Sequence, residues 1–118
     1  MTCKITEFKQ EQKIRMRSVQ DAMDALNGKW KIAIISSICC YGKRRFSDIL
    51  NDVEGVSNRM LSKELKELEI NELVKRTVLA TQPIMVEYEL TEHGNTLQTI
   101  ISELSDWGIV HRKKITGK

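Results

Sequence analysis

Residues 56–74 read Val56-Ser57-Asn58-Arg59-Met60-Leu61-Ser62-Lys63-Glu64-Leu65-Lys66-Glu67-Leu68-Glu69-Ile70-Asn71-Glu72-Leu73-Val74, and the rest of the chain is arranged about them. Leu61, Leu65 and Leu68 recur at four and three residues, so they form one apolar helical stripe with Met60 and Leu73 at its margins. Arg59, Ser62, Lys63 and Lys66 fall on a different face, three positive charges and a hydroxyl with no carboxylate between them. Ser57 suits the N-cap, because its hydroxyl oxygen can accept from a free amide of the first turn. A short polar cap followed by Asn58 and Arg59 fits a helix whose N-terminal end enters a DNA major groove. Taken alone, the same pattern also describes a surface helix with a solvated basic face. The flanks decide between the two.

Upstream, Val53-Glu54-Gly55-Val56 reads as a turn. Before it, residues 46–52 predict a short helix with Phe46, Ile49 and Leu50 facing inward, preceded by the basic turn Lys43-Arg44-Arg45. Short helix, glycine-containing turn, longer helix is the helix-turn-helix layout. Residues 29–40 predict another helix with Trp30, Ile34, Ile35 and Ile38 as its buried stripe, ended by Tyr41-Gly42. Residues 18–26 predict a short helix carrying Val19, Ala22, Met23 and Leu26, broken by Asn27-Gly28. Residues 1–17 are polar, and Phe8, Ile14 and Met16 fit either a weakly amphipathic helix or an arm ordered by a partner.

Downstream of Asn71 the period becomes two. Val74, Arg76 and Val78 alternate with Lys75 and Thr77, Thr81-Gln82-Pro83 makes a turn, and Val86, Tyr88 and Leu90 alternate with Glu87 and Glu89. Two strands directly after a helix-turn-helix form a wing. Thr91 can cap a last helix whose stripe is Leu97, Ile100, Ile101, Leu104 and Trp107, ending at Gly108. So broad a stripe exceeds what a small core needs, which assigns Val19, Met23, Leu97, Ile100, Ile101, Leu104 and Trp107 to a homodimer interface. The expected fold is mostly α with a small β-hairpin: a winged helix-turn-helix of about five to six helices plus a two-stranded wing. The expected division is an N-terminal arm (residues 1–17), one DNA-binding and dimerisation domain (18–110) and a basic C-terminal tail (111–118).

The whole chain agrees with one domain: 118 residues, 41% hydrophobic and 30% charged. Net charge is only +3, but it is unevenly spread: residues 92–106 hold three acids and no Lys or Arg, and residues 111–118 hold four Lys/Arg and no acid. The polar N-terminus does not resemble a signal peptide, and no apolar run is long enough to span a bilayer, so a cytoplasmic protein without a membrane partner is expected. Three cysteines, Cys3, Cys39 and Cys40, make an odd count and show no zinc spacing, so neither a disulfide framework nor a metal site is expected. Catalysis is not expected either. No nucleophile–base set and no phosphate-cradling glycine loop stands out, so no cofactor is expected.

These residues resemble the HxlR family of bacterial winged-helix transcription regulators, relatives of the MarR-type regulators. The resemblance runs from about Ser18 to Gly108. It rests on Gly28-Lys29-Trp30-Lys31, Arg44-Arg45-Phe46-Ser47, the segment from Gly55 to Glu69, Leu73-Val74 with Arg76-Thr77-Val78, Val86-Glu87-Tyr88 with Leu90-Thr91-Glu92 and Gly94, and Asp106-Trp107-Gly108. No single motif is decisive, but their order and spacing are specific. The resemblance implies a homodimer bound to operator DNA. Aligned through Gly28-Lys29-Trp30, Arg17 stands where many members carry a sensing cysteine and Ser18 where a proline is usual, so that sensing chemistry is not carried over. Met85 stands where the family has a basic wing residue, and no Lys or Arg occurs between Arg76 and Arg112. Glu72 stands where the family prefers Gly, so Asn71 is expected to take the left-handed turn.

The expected DNA contacts are Ser57, Asn58, Arg59, Ser62, Lys63 and Lys66, with Lys43, Arg44 and Arg45 before the motif and Arg76, Thr81 and Gln82 in the wing. Arg59 can pair with a guanine edge and lysines with phosphate, while Asn58 either reads adenine or caps. The three basic residues at 43–45 are expected to split between phosphate and packing along the domain. Trp30 and Trp107 belong to core or dimer interface, with ligand stacking as the alternative. The partners expected are double-stranded operator DNA and a second copy of the chain, with room for a small-molecule effector of unspecified chemistry. Two other readings share the fold: a winged-helix module for protein contacts, and a thiol-based redox-responsive regulator using Cys39 and Cys40.

Overall fold

The computed structural model describes the chain from Thr2 to Lys118, and its side chains from Glu7 onward. Met1 and the side chain of Cys3 lie outside the described residues. The order is α1 (Thr2–Ala25), α2 (Lys31–Tyr41), β1 (Arg44–Arg45), α3 (Phe46–Asp52), α4 (Asn58–Ile70), β2 (Val74–Leu79), β3 (Met85–Leu90), α5 (Glu92–Asn95) and α6 (Leu97–Thr116).

The core forms where the apolar stripes of three helices meet the wing. Ile34, Ile35 and Ile38 of α2, Ile49 of α3, and Leu61, Leu65 and Leu68 of α4 are buried together with Val53, Val56, Leu73, Val74 and Tyr88. Each fully buried aliphatic side chain contributes on the order of 2 kcal/mol. The stripe predicted for α4 is therefore the face by which that helix is held, and its opposite face is left in solvent. Trp30 is half buried against this cluster, with Gly55 packed beside its ring in the turn before α4. Gly55 is at φ +91°, a conformation that L side chains rarely adopt.

The sheet order is β1-β3-β2, antiparallel throughout. The expected two-stranded wing thus gains a third strand. Arg44 pairs with Tyr88 and Arg45 with Glu87, an element of two residues that no periodicity can reveal. Arg76 also pairs with Tyr88, so Arg44, Tyr88 and Arg76 form one row across the sheet.

The end of α4 corrects one expectation. Glu72, not Asn71, takes the left-handed conformation, at φ +60°. Asn71 stays at φ −81°, and its side-chain amide donates to the Glu67 carbonyl at 3.2 Å. The Leu73 amide reaches back to Leu68 O and the Glu72 amide to Glu69 O, both at 3.0 Å. These are the two bonds of a Schellman ending, and they lay buried Leu73 against buried Leu68. That apolar contact requires the left-handed residue to be number 72.

Two helices are longer than expected. No break occurs at Ser18, and α1 runs back to Thr2, because residues 2–17 contain no Gly or Pro and many good helix formers. α6 passes through Gly108, since one internal glycine costs only about 1 kcal/mol. It ends at Gly117, at φ +75°, whose amide donates to Lys113 O at 2.8 Å. Lys113 and Lys114 sit in that last turn, where the helix dipole favours cations. The residues expected as a tail are mostly helix. Thr91 does act as a cap, but of the four-residue α5, accepting from the Gly94 amide at 2.9 Å.

Candidate nucleic-acid interface

The α4 face opposite the core is built as its spacing requires. Ser57 is extended (φ −84°, ψ 161°) and its Oγ accepts the Met60 amide at 3.1 Å. Asn58, Arg59, Ser62, Lys63 and Lys66 are all exposed. Among the described residues, no carboxylate lies within ion-pair distance of Arg59, Lys63 or Lys66. Ser62 and Lys66 share a cleft with Arg76 of β2, lined also by buried Leu65 and Tyr88 and by Glu69. The structure therefore joins one wing cation to the helix face. The arrangement is a row of free hydrogen-bond donors on a rigid element, suited to phosphate oxygens and base edges.

The other expected contacts are not gathered there. Arg44 is committed inside the domain: it forms a short ion pair with Asp52, and its guanidinium lies 4.1 Å from the Tyr41 ring centroid. Ser37 Oγ also donates to Asp52, at 2.7 Å. These two partners, Ser37 foremost, hold the Asp52 carboxyl below its ordinary range. Arg44 thus fastens α2 to α3. Lys43 lines a separate cleft with Cys39, Glu89 and Asn95. Arg45 is exposed, stands opposite Glu87 in the sheet, and donates its backbone amide to Asp48 at 3.1 Å. Thr81 and Gln82 are exposed in the wing loop, where the Thr81 hydroxyl donates to Pro83 O at 2.7 Å. Ile84 and Val78 give that end of the wing an apolar surface.

A buried ion cluster behind α4 was missed by sequence reasoning. Lys31 is 2% exposed, and its ammonium donates to Glu64 Oε2 at 2.6 Å, to Glu67 Oε2 at 2.5 Å and to Asn27 Oδ1 at 3.0 Å. Burial disfavours the charged ammonium, but the two carboxylates outweigh it and hold its pKa above the ordinary value. Glu67 is held low by the same contact. A signal existed: Lys31 lies three and four residues before Ile34 and Ile35, and Glu64 lies between Leu61 and Leu65 on the inward face. Charges at inward positions need a partner.

The expected interface residues divide. Leu97 and Ile101 pack against the core, whereas Val19, Met23, Ile100, Leu104 and Trp107 are exposed. Every residue from 102 to 118 is exposed, and Trp107 stacks on His111 with centroids 4.8 Å apart. The radius of gyration is 18.2 Å, against roughly 13.5 Å for a compact domain of this length. α1 and α6 extend beyond the core, and several of their apolar residues, among them Val19, Met23, Leu104 and Trp107, lack cover. A mainly apolar cleft lies between them, lined by Ala22, Ala25, Leu26, Leu73, Leu97 and Ile100.

Cys39 is half buried and Cys40 exposed, each in a different groove. Among the described residues no three ligating side chains cluster, and no helix is long and apolar enough to cross a membrane.

The family model described as HxlR-like helix-turn-helix matches residues 25–116. The uncharacterized HTH-type transcriptional regulator YtcD of Bacillus subtilis (strain 168) is 34% identical over 100 residues, covering 85% of this chain and 79% of that protein. The HTH-type transcriptional regulator YodB of the same organism is 37% identical over 89 residues, covering 75% and 79%. Among solved structures, the redox regulator HypR in its reduced form aligns with a TM-score of 0.79 at 34% identity, covering 86% of this chain and 99% of that one.

Proposed function

Because the chain belongs to the HxlR-like helix-turn-helix family of transcription regulators, we propose that it acts as a homodimer on a pseudo-palindromic operator in duplex DNA. The observation that carries this reading is the solvent face of α4, where Arg59, Ser62, Lys63 and Lys66 stand free on a helix anchored by three buried leucines. In this reading Arg59 and Asn58 meet base edges near the helix N-terminus. Lys63, Lys66 and Arg76 neutralise phosphates. Arg44 takes no part, because its guanidinium is already paired with Asp52.

Dimerisation is supported by the exposed stripe of Ile100, Leu104 and Trp107 on α6 and by Val19 and Met23 on α1. Core contacts hold only the start of α6, through Leu97 and Ile101, and a second copy is the simplest cover for the apolar residues beyond them. Two α4 helices related by a two-fold axis would enter major grooves about 34–36 Å apart. The test is a titration of random and enriched duplexes with light scattering of the free protein. A dimer that prefers inverted half-sites supports the reading. A monomer, or equal affinity for every duplex, removes it.

The likeness to HypR, a redox regulator, gives a thiol-responsive variant of this reading a motive. Here it would rest on Cys39 and Cys40, which face different surroundings. Loss of DNA binding under mild oxidation, restored by Cys39→Ser or Cys40→Ser, would establish it.

A further inference from the structure

The α4 helix is held to its core by Leu61, Leu65 and Leu68, and apolar contacts of this kind resist separation better than they resist rolling. Directional contacts are needed to fix its rotation. Among the described residues, the directional side-chain contacts that reach the inner face of α4 from another element come from one atom, Lys31 Nζ. Glu64 and Glu67, one turn apart, both accept from it, and the third ammonium proton goes to Asn27 Oδ1. All three donors are used, so neither side can move without losing a bond. Asn27 lies just beyond the end of α1, the helix whose exposed Val19 and Met23 await cover.

We propose that Lys31 is a positioning residue that fixes the rotation of α4 relative to α2 and to the turn that follows α1, and so sets the spacing of the two DNA-reading helices in the dimer. The inference rests on the homodimer reading above. The lever is short. A roll of about 20° about an axis some 5–6 Å from the side chains moves their ends by about 2 Å, enough to break a base contact. Arg59, Ser62 and Lys66 share the rigid rod that carries Glu64 and Glu67, so any roll reaches them undamped. A buried ion cluster is weak evidence for stability, because desolvation offsets its attraction, whereas fixing one register is the better-attested use.

The experiment uses the full-length chain and a fluorescent duplex enriched from random sequence by the wild type. The centre spacing of its half-sites is then changed by one and two base pairs either way. A random duplex of equal length serves as reference. Lys31→Met should lose about tenfold or more on the enriched duplex and discriminate poorly among spacings, with the reference duplex unchanged. Lys31→Met leaves Glu64 buried without its cation and could fail to fold, so Asn27→Ala provides the second variant. It cuts only the arm to the turn between α1 and α2, keeps Lys31 with both carboxylates, and should flatten the spacing profile while preserving dimer mass and cooperative melting. A wild-type spacing profile in Asn27→Ala, or equal loss on enriched and reference duplexes, overturns the proposal. A wild type that is monomeric or indifferent to spacing overturns the homodimer reading and this inference with it.

Discussion

The hydroxyl of Thr91 donates to the carbonyl of Glu72 at 2.6 Å. The same oxygen accepts the Gly94 amide at 2.9 Å, and the Thr91 amide donates to Leu73 O at 3.1 Å. One residue thus ties the end of α4 to the end of the wing, across the left-handed Glu72. A Cβ on Gly94 would overlap the Leu73 carbonyl, which is why that position has no side chain.

Glu72→Gly should stabilise the fold. A non-glycine residue in the left-handed region costs roughly 1–2 kcal/mol, part of which the extra freedom of an unfolded glycine offsets. The expected net gain is about 0.5–1 kcal/mol, seen as a melting temperature higher by a few degrees. A lower melting temperature would mean that Glu72 makes a contact worth more than its strain.

Acid should loosen the α2–α3 and α2–α4 fastenings, and moderate pH should not. Asp52 is held low by Ser37 and Arg44, and Glu67 by Lys31. For a lowered carboxyl, the stabilisation is present above its unfolded pKa and is lost as pH falls through the folded value. Lys31 is raised, so its share is full below its ordinary 10.5 and is lost as pH climbs through the raised value. Melting followed against pH should therefore be flat with respect to these groups from about pH 5 to 10, with an acid decline that Asp52→Asn and Glu67→Gln make shallower. A decline between pH 7 and 5 carried by these two carboxyls would contradict the assignment.

On the proposed homodimer reading, Leu104→Glu should separate the two copies without unfolding the protomer, because Leu104 is exposed in the single chain. Replacing a covered leucine by a charge in each copy should cost on the order of 3 kcal/mol, a rise of about a hundredfold in dimer Kd. Sedimentation at micromolar concentration reads the mass, and circular dichroism checks that helix content in the core elements persists. An unchanged mass would place the interface elsewhere.

Much of this was legible because it is local. The 3.6-residue period of Leu61, Leu65 and Leu68, and the Ser57 cap beside it, depend on neighbours in the chain. What was not legible depends on distant partners. Nothing in the order of residues pairs Lys31 with Glu64, 33 positions apart. Arg44 looked like its basic neighbours until Asp52 and Tyr41 were folded against it. Glu72 took the left-handed turn because Leu73 had to reach Leu68, a demand set by burial and not by the turn preference of Asn71. Gly108 did not stop α6, whose end is at Gly117.

Whether α4 reads DNA is decided by a titration of Arg59→Ala and Lys66→Ala at several salt concentrations. On an enriched duplex, Arg59→Ala should cost on the order of 1–3 kcal/mol per half-site and narrow the gap to random duplex. Lys66→Ala should weaken all sequences alike and reduce the salt slope by about one unit for each phosphate left without its lysine. If both variants keep wild-type affinity, sequence preference and salt slope, α4 is not the reading helix.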